Sequence, residues 1–120
     1  SPVPFEKLSD QHPAESSQNI RKRVTQARSI QAQRFAAHSQ VHYNAQMGSR
    51  LIRQYCQLDE ASSQLLKTAM ERLNLSARAY DRILKVARTI ADLEASETIL
   101  AKHIAEAIQY RSLDREGWLA

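Results

Sequence analysis

The sequence predicts an all-α domain: a small helical bundle of about four to five helices, with a basic helix in front. Three observations carry that expectation. Glycine and proline are scarce, two and three in 120 residues, which removes the turn chemistry that sheets and loop-rich folds need. Alanine, glutamine, arginine and leucine dominate the chain, and all four are good helix formers. Apolar residues make up 42% of it and recur at helical spacing, enough for one modest core. The length fits one domain of ordinary size.

Residues 1–17 read as an extended linker, because Pro2, Pro4 and Pro13 disfavour regular helix. Val3-Pro4-Phe5 offers apolar groups that need something to dock on. Polar, proline-bearing segments of this kind commonly mark domain boundaries, so this stretch is either the exit from an upstream domain or a free, frayed terminus. Residues 18–48 hold the basic helix and a connecting loop. The helix is expected from Ser17 or Asn19 to His38, with Ile20, Val24, Ala27, Gln31, Phe35 and His38 on one side. Gln31 is a gap in that stripe. Arg21, Lys22, Arg23, Arg28 and Arg34 make the rest of the helix strongly basic. From Gln40 to Gly48 no period is visible, and Asn44 and Gly48 signal turns.

The bundle itself spans residues 49–111. Ser49 is expected to cap a short helix through Tyr55, with Leu51, Ile52 and Tyr55 inward. Asp59 is a good N-cap for a helix from Glu60 to Leu73, which turns Ala61, Leu65, Ala69 and Leu73 inward, broadened by Leu66 and Met70. The central stretch runs from Leu75 to Leu93. Ser76 caps it, Leu75 is placed to staple onto Tyr80, and Ala79, Ile83, Val86, Ala87 and Ile90 form a stripe. Tyr80, Leu84 and Ala91 broaden that stripe enough for neighbours on two sides. A last helix starts at Ser96 or Thr98 and runs to about Tyr110, with Ile99, Ile104, Ala107 and Ile108 inward. Residues 112–120 form a tail carrying Trp118.

Composition excludes several kinds of chemistry. The net charge of +4, from 17 Lys plus Arg against 13 Asp plus Glu, allows contact with nucleic acid without demanding it. No stretch approaches a transmembrane helix in length, and no signal peptide is visible. The single cysteine, Cys56, has no partner for an internal disulfide, so a cytoplasmic protein without membrane contact is expected. Gly48 and Gly117 are the two glycines, so no glycine-rich phosphate loop exists and the chain is not a complete P-loop ATPase. His38 and His42 are four apart, but no Cys or acid falls at ligand spacing beside them, and no metal site is expected. His103 reads as structural or exposed. Cys56 and Ser76 lack an obvious base and read as packing and capping. Asp81 and Lys85 are spaced for an i,i+4 surface bridge.

Arg78 and Arg82 stand apart. They lie four apart in the first turns of the central helix, where the helix dipole disfavours cations. Free backbone N–H groups beside them point to an anion or an acidic partner outside the helix. Each arginine either pairs with a carboxylate in the bundle, faces water, or reaches a phosphate held by another domain. Arginine suits the last task because its fixed fork binds phosphate oxygens in pairs.

At these residues the sequence resembles a known family. The run from Leu75-Ser76-Ala77-Arg78-Ala79-Tyr80-Asp81-Arg82 through Ile83-Leu84-Lys85-Val86-Ala87-Arg88-Thr89-Ile90-Ala91-Asp92-Leu93 resembles the signature of the C-terminal domain of magnesium chelatase-like AAA+ ATPases. Its nearest likeness is to the bacterial, competence-associated branch. His103-Ile104-Ala105-Glu106-Ala107-Ile108-Gln109-Tyr110-Arg111 is similar to the final lid helix of that branch. Val3-Pro4-Phe5, Arg21-Lys22-Arg23-Val24 and Ala27-Arg28 resemble the segment leaving the ATPase core. The resemblance implies an AAA+ lid fold behind an upstream Walker-type core, in a ring of subunits. It implies that Arg78 is the sensor-2 arginine and that Arg82 supports the same site. ATP and Mg2+ would be bound mainly by the upstream core, and this segment alone would not turn over ATP. The branch is linked to DNA branch migration in recombination, whereas true chelatase subunits drive metal insertion into a porphyrin.

Two rival readings make distinct demands. An autonomous DNA-binding module would use Arg21, Lys22 and Arg28 as one continuous positive patch, with salt-sensitive binding. A structural oligomerisation domain would bury Arg78 in an internal ion pair. A lid requires Arg78 to project from the bundle.

Overall fold

The structure, a computed structural model, describes residues 15–115, with side chains up to residue 110. The expected linker before residue 15, the end of the tail and Trp118 lie outside that range. The described elements are helices α1 (Ser17–Arg34), α2 (Ser49–Tyr55), α3 (Glu60–Arg72), α4 (Ala77–Leu93) and α5 (Ala101–Arg115), with a 3-10 turn at Asn44–Gln46. The all-α expectation holds, and α4 is the axis of the bundle. α1, the 3-10 turn, α2 and α5 all pack on it, while α3 packs on α5.

Helix starts follow local chemistry. Ser16, Asp59 and Ser76 each accept a hydrogen bond from the backbone N–H three residues on, at 3.1, 2.8 and 3.1 Å. This satisfies one of the donors that a helix start leaves open. Ser49 is different. It is the first helical residue of α2, and Gly48 holds the cap position without a side-chain bond.

Helix ends are reversals. Asn74 after α3 and Ala95 after α4 take the left-handed conformation, with φ 50° and 56°. Leu75 N–H returns to the Met70 carbonyl at 3.1 Å and Ser96 N–H to the Ala91 carbonyl at 2.8 Å. Both are Schellman closures. At Ala95 the closure is made without the glycine that the conformation favours.

Tertiary contacts move several expected boundaries and faces. α1 stops at Arg34, four residues short of His38, because the Phe35 ring turns into the core and meets Tyr55 edge-on with centroids 5.7 Å apart. α3 buries Ser62 and Leu66 rather than Ala61 and Leu73, which are exposed. Its neighbour α5 covers a narrow side, and Ser62 tolerates burial because its hydroxyl donates to the Ile99 carbonyl at 3.3 Å. On α4, Ile83, Ala87 and Ala91 are buried as expected, but Tyr80 and Val86 are exposed. Arg88 and Asp92 are buried in their place, since α1 covers that flank and supplies the partners they need.

α5 begins at Ala101, not at Ser96 or Thr98. Ile99 is first held in an isolated parallel bridge to Leu58. His103 then accepts the Leu100 N–H on Nδ1 at 2.9 Å, doing for this helix start what a glutamate does in a capping box. With Nδ1 accepting, the ring proton sits on Nε2 and points to Glu94 Oε1 at 2.8 Å. His103 is therefore buried and structural. α5 continues past Tyr110 to Arg115.

Candidate functional site

Capping by Ser76 and packing of Leu75 against the core fix the first turn of α4. One turn apart on its outer side, Arg78 and Arg82 are both exposed. With Asp81 and Lys85 they line one wall of a cleft of about 460 Å³. Met47, Gly48, Ser49 and Ile52 line the rest, so the wall opposite α4 comes from the turn before α2 and from α2 itself. Met47 and Ile52 are buried, which anchors that wall in the core. Arg78 has no hydrogen bond or ion pair among the described residues. Lys85 does not bridge to Asp81 as its spacing proposed. Its ammonium donates to the Ala45 carbonyl at 3.3 Å, across to the 3-10 turn.

A second set of arginines behaves in the opposite way. Arg34, from α1, makes a bidentate pair with Asp92 of α4, with both N–O distances 2.8 Å. Arg88 reaches the same carboxylate at 3.2 Å and donates to the Ser96 and Glu97 carbonyls that the Schellman closure brings back over it. Burial draws the Arg88 guanidinium below its usual range, against the pull of Asp92, though it stays a cation. Asn44 completes the hub. Its amide nitrogen donates to Asp92 at 2.8 Å and to Thr89 at 3.0 Å, and its carbonyl oxygen accepts from Arg34 at 2.8 Å. The Asn44 N–H is taken by the Gln31 side chain at 2.9 Å. The gap in the α1 stripe is thus a buried polar anchor. Sequence reasoning missed this hub. Its one trace was a polar residue inside an apolar stripe, opposite an asparagine in an aperiodic loop.

The basic face of α1 lies elsewhere. Arg21, Lys22 and Arg28 are exposed, and none of them lines the Arg78 cleft. Arg21 and Lys22 border a shallow groove along α1 with Gln18, Thr25, Ser29 and Gln33. Arg23 pairs with Glu15. Two of the five α1 cations are therefore engaged within the described residues, Arg23 and Arg34.

Cys56 is buried, and desolvation pushes its thiol up to about 11 although Arg88 and Arg34 pull the other way. It remains a thiol and packs as a small apolar group. Among the described residues no group of three or more His, Cys, Asp or Glu side chains is placed to hold a metal ion. No described helix is long and apolar enough to cross a membrane.

A five-helix bundle with α4 as its axis, and an exposed arginine at the start of that helix beside a cleft, is an all-helical domain consistent with the AAA+ C-terminal lid fold. Residues 14–111 match the family described as magnesium chelatase, subunit ChlI C-terminal, and the chain belongs to it as the C-terminal domain of a magnesium chelatase-like AAA+ ATPase. It is 43% identical over 103 residues to the uncharacterized protein YifB of Escherichia coli, covering 86% of this chain and 19% of that protein. It is 41% identical over 101 residues to the competence protein ComM of Haemophilus influenzae, covering 84% of this chain and 19% of that protein. A Mycobacterium tuberculosis protein is 35% identical over 97 residues, 81% of this chain and 19% of its own length. The chain thus spans about a fifth of the length of these relatives.

Proposed function

We propose that this domain is the lid of a ring-shaped AAA+ motor and that Arg78 is its sensor-2 arginine, presented to ATP and Mg2+ held by an upstream core. The observation that carries the reading is the contrast between two kinds of arginine. Arg88 is buried and Arg34 largely so, both paired with Asp92, whereas Arg78 is exposed at a cleft with no partner among the described residues. A structural domain would spend Arg78 on an internal pair. A guanidinium held on a rigid helix suits a phosphate whose charge shifts during transfer, because it needs no reorganisation when that charge moves. A lid that carries it moves with nucleotide state. Arg82, one turn on, supports the same site.

The motor acts on DNA in this reading, in branch migration, recombination or competence. The likeness to a competence protein supports it, as does the exposed basic face of α1 at Arg21, Lys22 and Arg28. The same face would serve a DNA-binding module that works by itself, and salt-sensitive binding without any nucleotide effect would favour that second reading. In the full-length protein, Arg78→Ala should cut ATP turnover at least about tenfold while leaving the unfolding midpoint nearly unchanged. Unchanged turnover would remove the sensor role.

A further inference from the structure

A separate groove of about 410 Å³ lies beside α4, between α5 and the 3-10 turn. Val86, Ile90 and Leu93 of α4 and Tyr110 of α5 give it an apolar lining, and Arg82, Lys85 and Thr89 give it a polar edge. Val86 is 36% exposed and Tyr110 42%. Two large apolar side chains on adjacent helices thus stand half in water at one place, where a scattered surface hydrophobe would need no account but a shared groove does.

α5 runs antiparallel to α4. His103, in its first turn, meets Glu94 just past the end of α4, and Tyr110 shares the groove with Val86. The helix goes on to Arg115, about 7.5 Å past Tyr110. Glu116-Gly117-Trp118-Leu119-Ala120 follow. Trp118 comes soon enough after the helix for a reach of up to about 10 Å, which returns it to the level of Tyr110. Gly117 permits the reversal, because glycine readily takes the left-handed conformation that turns a chain back at a helix end. A groove with an apolar floor and a polar edge suits an indole, apolar in body with one N–H to place. Other occupants fit less well. Val3-Pro4-Phe5 lead into α1, where residues 17–26 include none that is buried, so that segment approaches from outside the bundle. A second copy of the chain needs a wider contact, since the groove is lined by eight described residues, against roughly 20–30 a side in a stable interface.

We infer that the segment beyond α5 seats Trp118 in this groove, against Val86 and Tyr110, and so clasps α5 to the helix that carries Arg78. The inference is independent of what Arg78 binds.

The test uses the full-length protein. Emission from Trp118, the one tryptophan in this sequence, is taken as the difference between each protein and its Trp118→Phe counterpart, which removes any tryptophan elsewhere. It should be blue-shifted from its position in the urea-unfolded protein, with acrylamide quenching about threefold slower. Val86→Lys puts a charge into the groove at an exposed position and should return both readings close to their unfolded values. Ile20→Lys, at an exposed apolar position on α1, should change neither. Val86→Ser removes apolar contact without adding charge and should give a partial loss, which reads the groove even where Val86→Lys disturbs the helix. If Trp118 is as red and as quenchable in the folded protein as in the unfolded one, the inference is overturned. A shielded Trp118 that ignores both Val86 substitutions overturns it as well. Shielding that fades on dilution would place the ring in the groove of another copy and overturn it too.

Discussion

Asp92 has no solvent exposure and accepts two hydrogen bonds from Arg34, one from Asn44 and one from Arg88. It joins α1, the 3-10 turn and α4 at one atom pair. A carboxylate in that position is costly to desolvate, and its two guanidinium partners offset the cost only while all three remain. Removing the charge strands the buried Arg88 and the largely buried Arg34. Asp92→Asn, nearly isosteric, should therefore destabilise the domain by about 3–5 kcal/mol, read by urea unfolding. A loss under about 1 kcal/mol would mean that the hub relaxes and lets water in. Arg34 and Arg88 look like any other arginines in the sequence. What separates them from Arg78 is the position of Asp92 in space, one helical turn from Arg88 but 58 residues from Arg34.

The start of α5 is an element built on acid–base chemistry. Glu94 accepts from His103 and Lys102, and the His103 hydrogen bond, followed by that of Lys102, holds its carboxyl below the usual glutamate range. Asp59 at the start of α3 is held down in the same direction by its bonds from Ser62. A carboxylate whose pKa is lower folded than unfolded contributes stability that is fully present above the unfolded value, about 4.3 for glutamate, and lost as pH falls through the folded value. Unfolding free energy should thus decline below about pH 4. Glu94→Gln should flatten that decline, leaving the Asp59 share. Urea titrations across this window check it, and a profile of unchanged steepness would place the acid sensitivity elsewhere. Legibility differed between elements for related reasons. The caps at Asp59 and Ser76 were readable because the bonds they make are local. The start of α5 was not, because its cap is a histidine whose ring is held by a residue on the preceding helix end.

At the scale of the molecule, the bundle presents two separate cationic surfaces. Arg78 on α4 stands at a cleft, while α1 shows Arg21, Lys22 and Arg28 on a solvent-exposed face. If α1 tracks a nucleic-acid backbone, binding by the full-length protein falls with salt, and each lost phosphate contact changes the slope of log K against log salt by about one unit. Lys22→Ala should flatten that slope by about one with ATP turnover in the absence of DNA unchanged. An unaltered slope would take α1 out of the DNA contact. The hub ties together the two helices that carry these surfaces, since Arg34 ends α1 and Asp92 lies on the helix that carries Arg78.

The sequence by itself determined the helical class, most helix starts, the apolar row of Ile83, Ala87 and Ile90, and the position of Arg78 in the first turn of the central helix. These depend on period, propensity and capping, which act over a few neighbouring residues. Tertiary structure decided which polar residues are buried, that Val86 and Tyr80 stay outside, where α1 and α5 begin or end, and that Lys85 donates to Ala45 instead of bridging to Asp81. Each of those outcomes depends on a partner far along the chain, and burial of a charge is tolerable only where such a partner arrives.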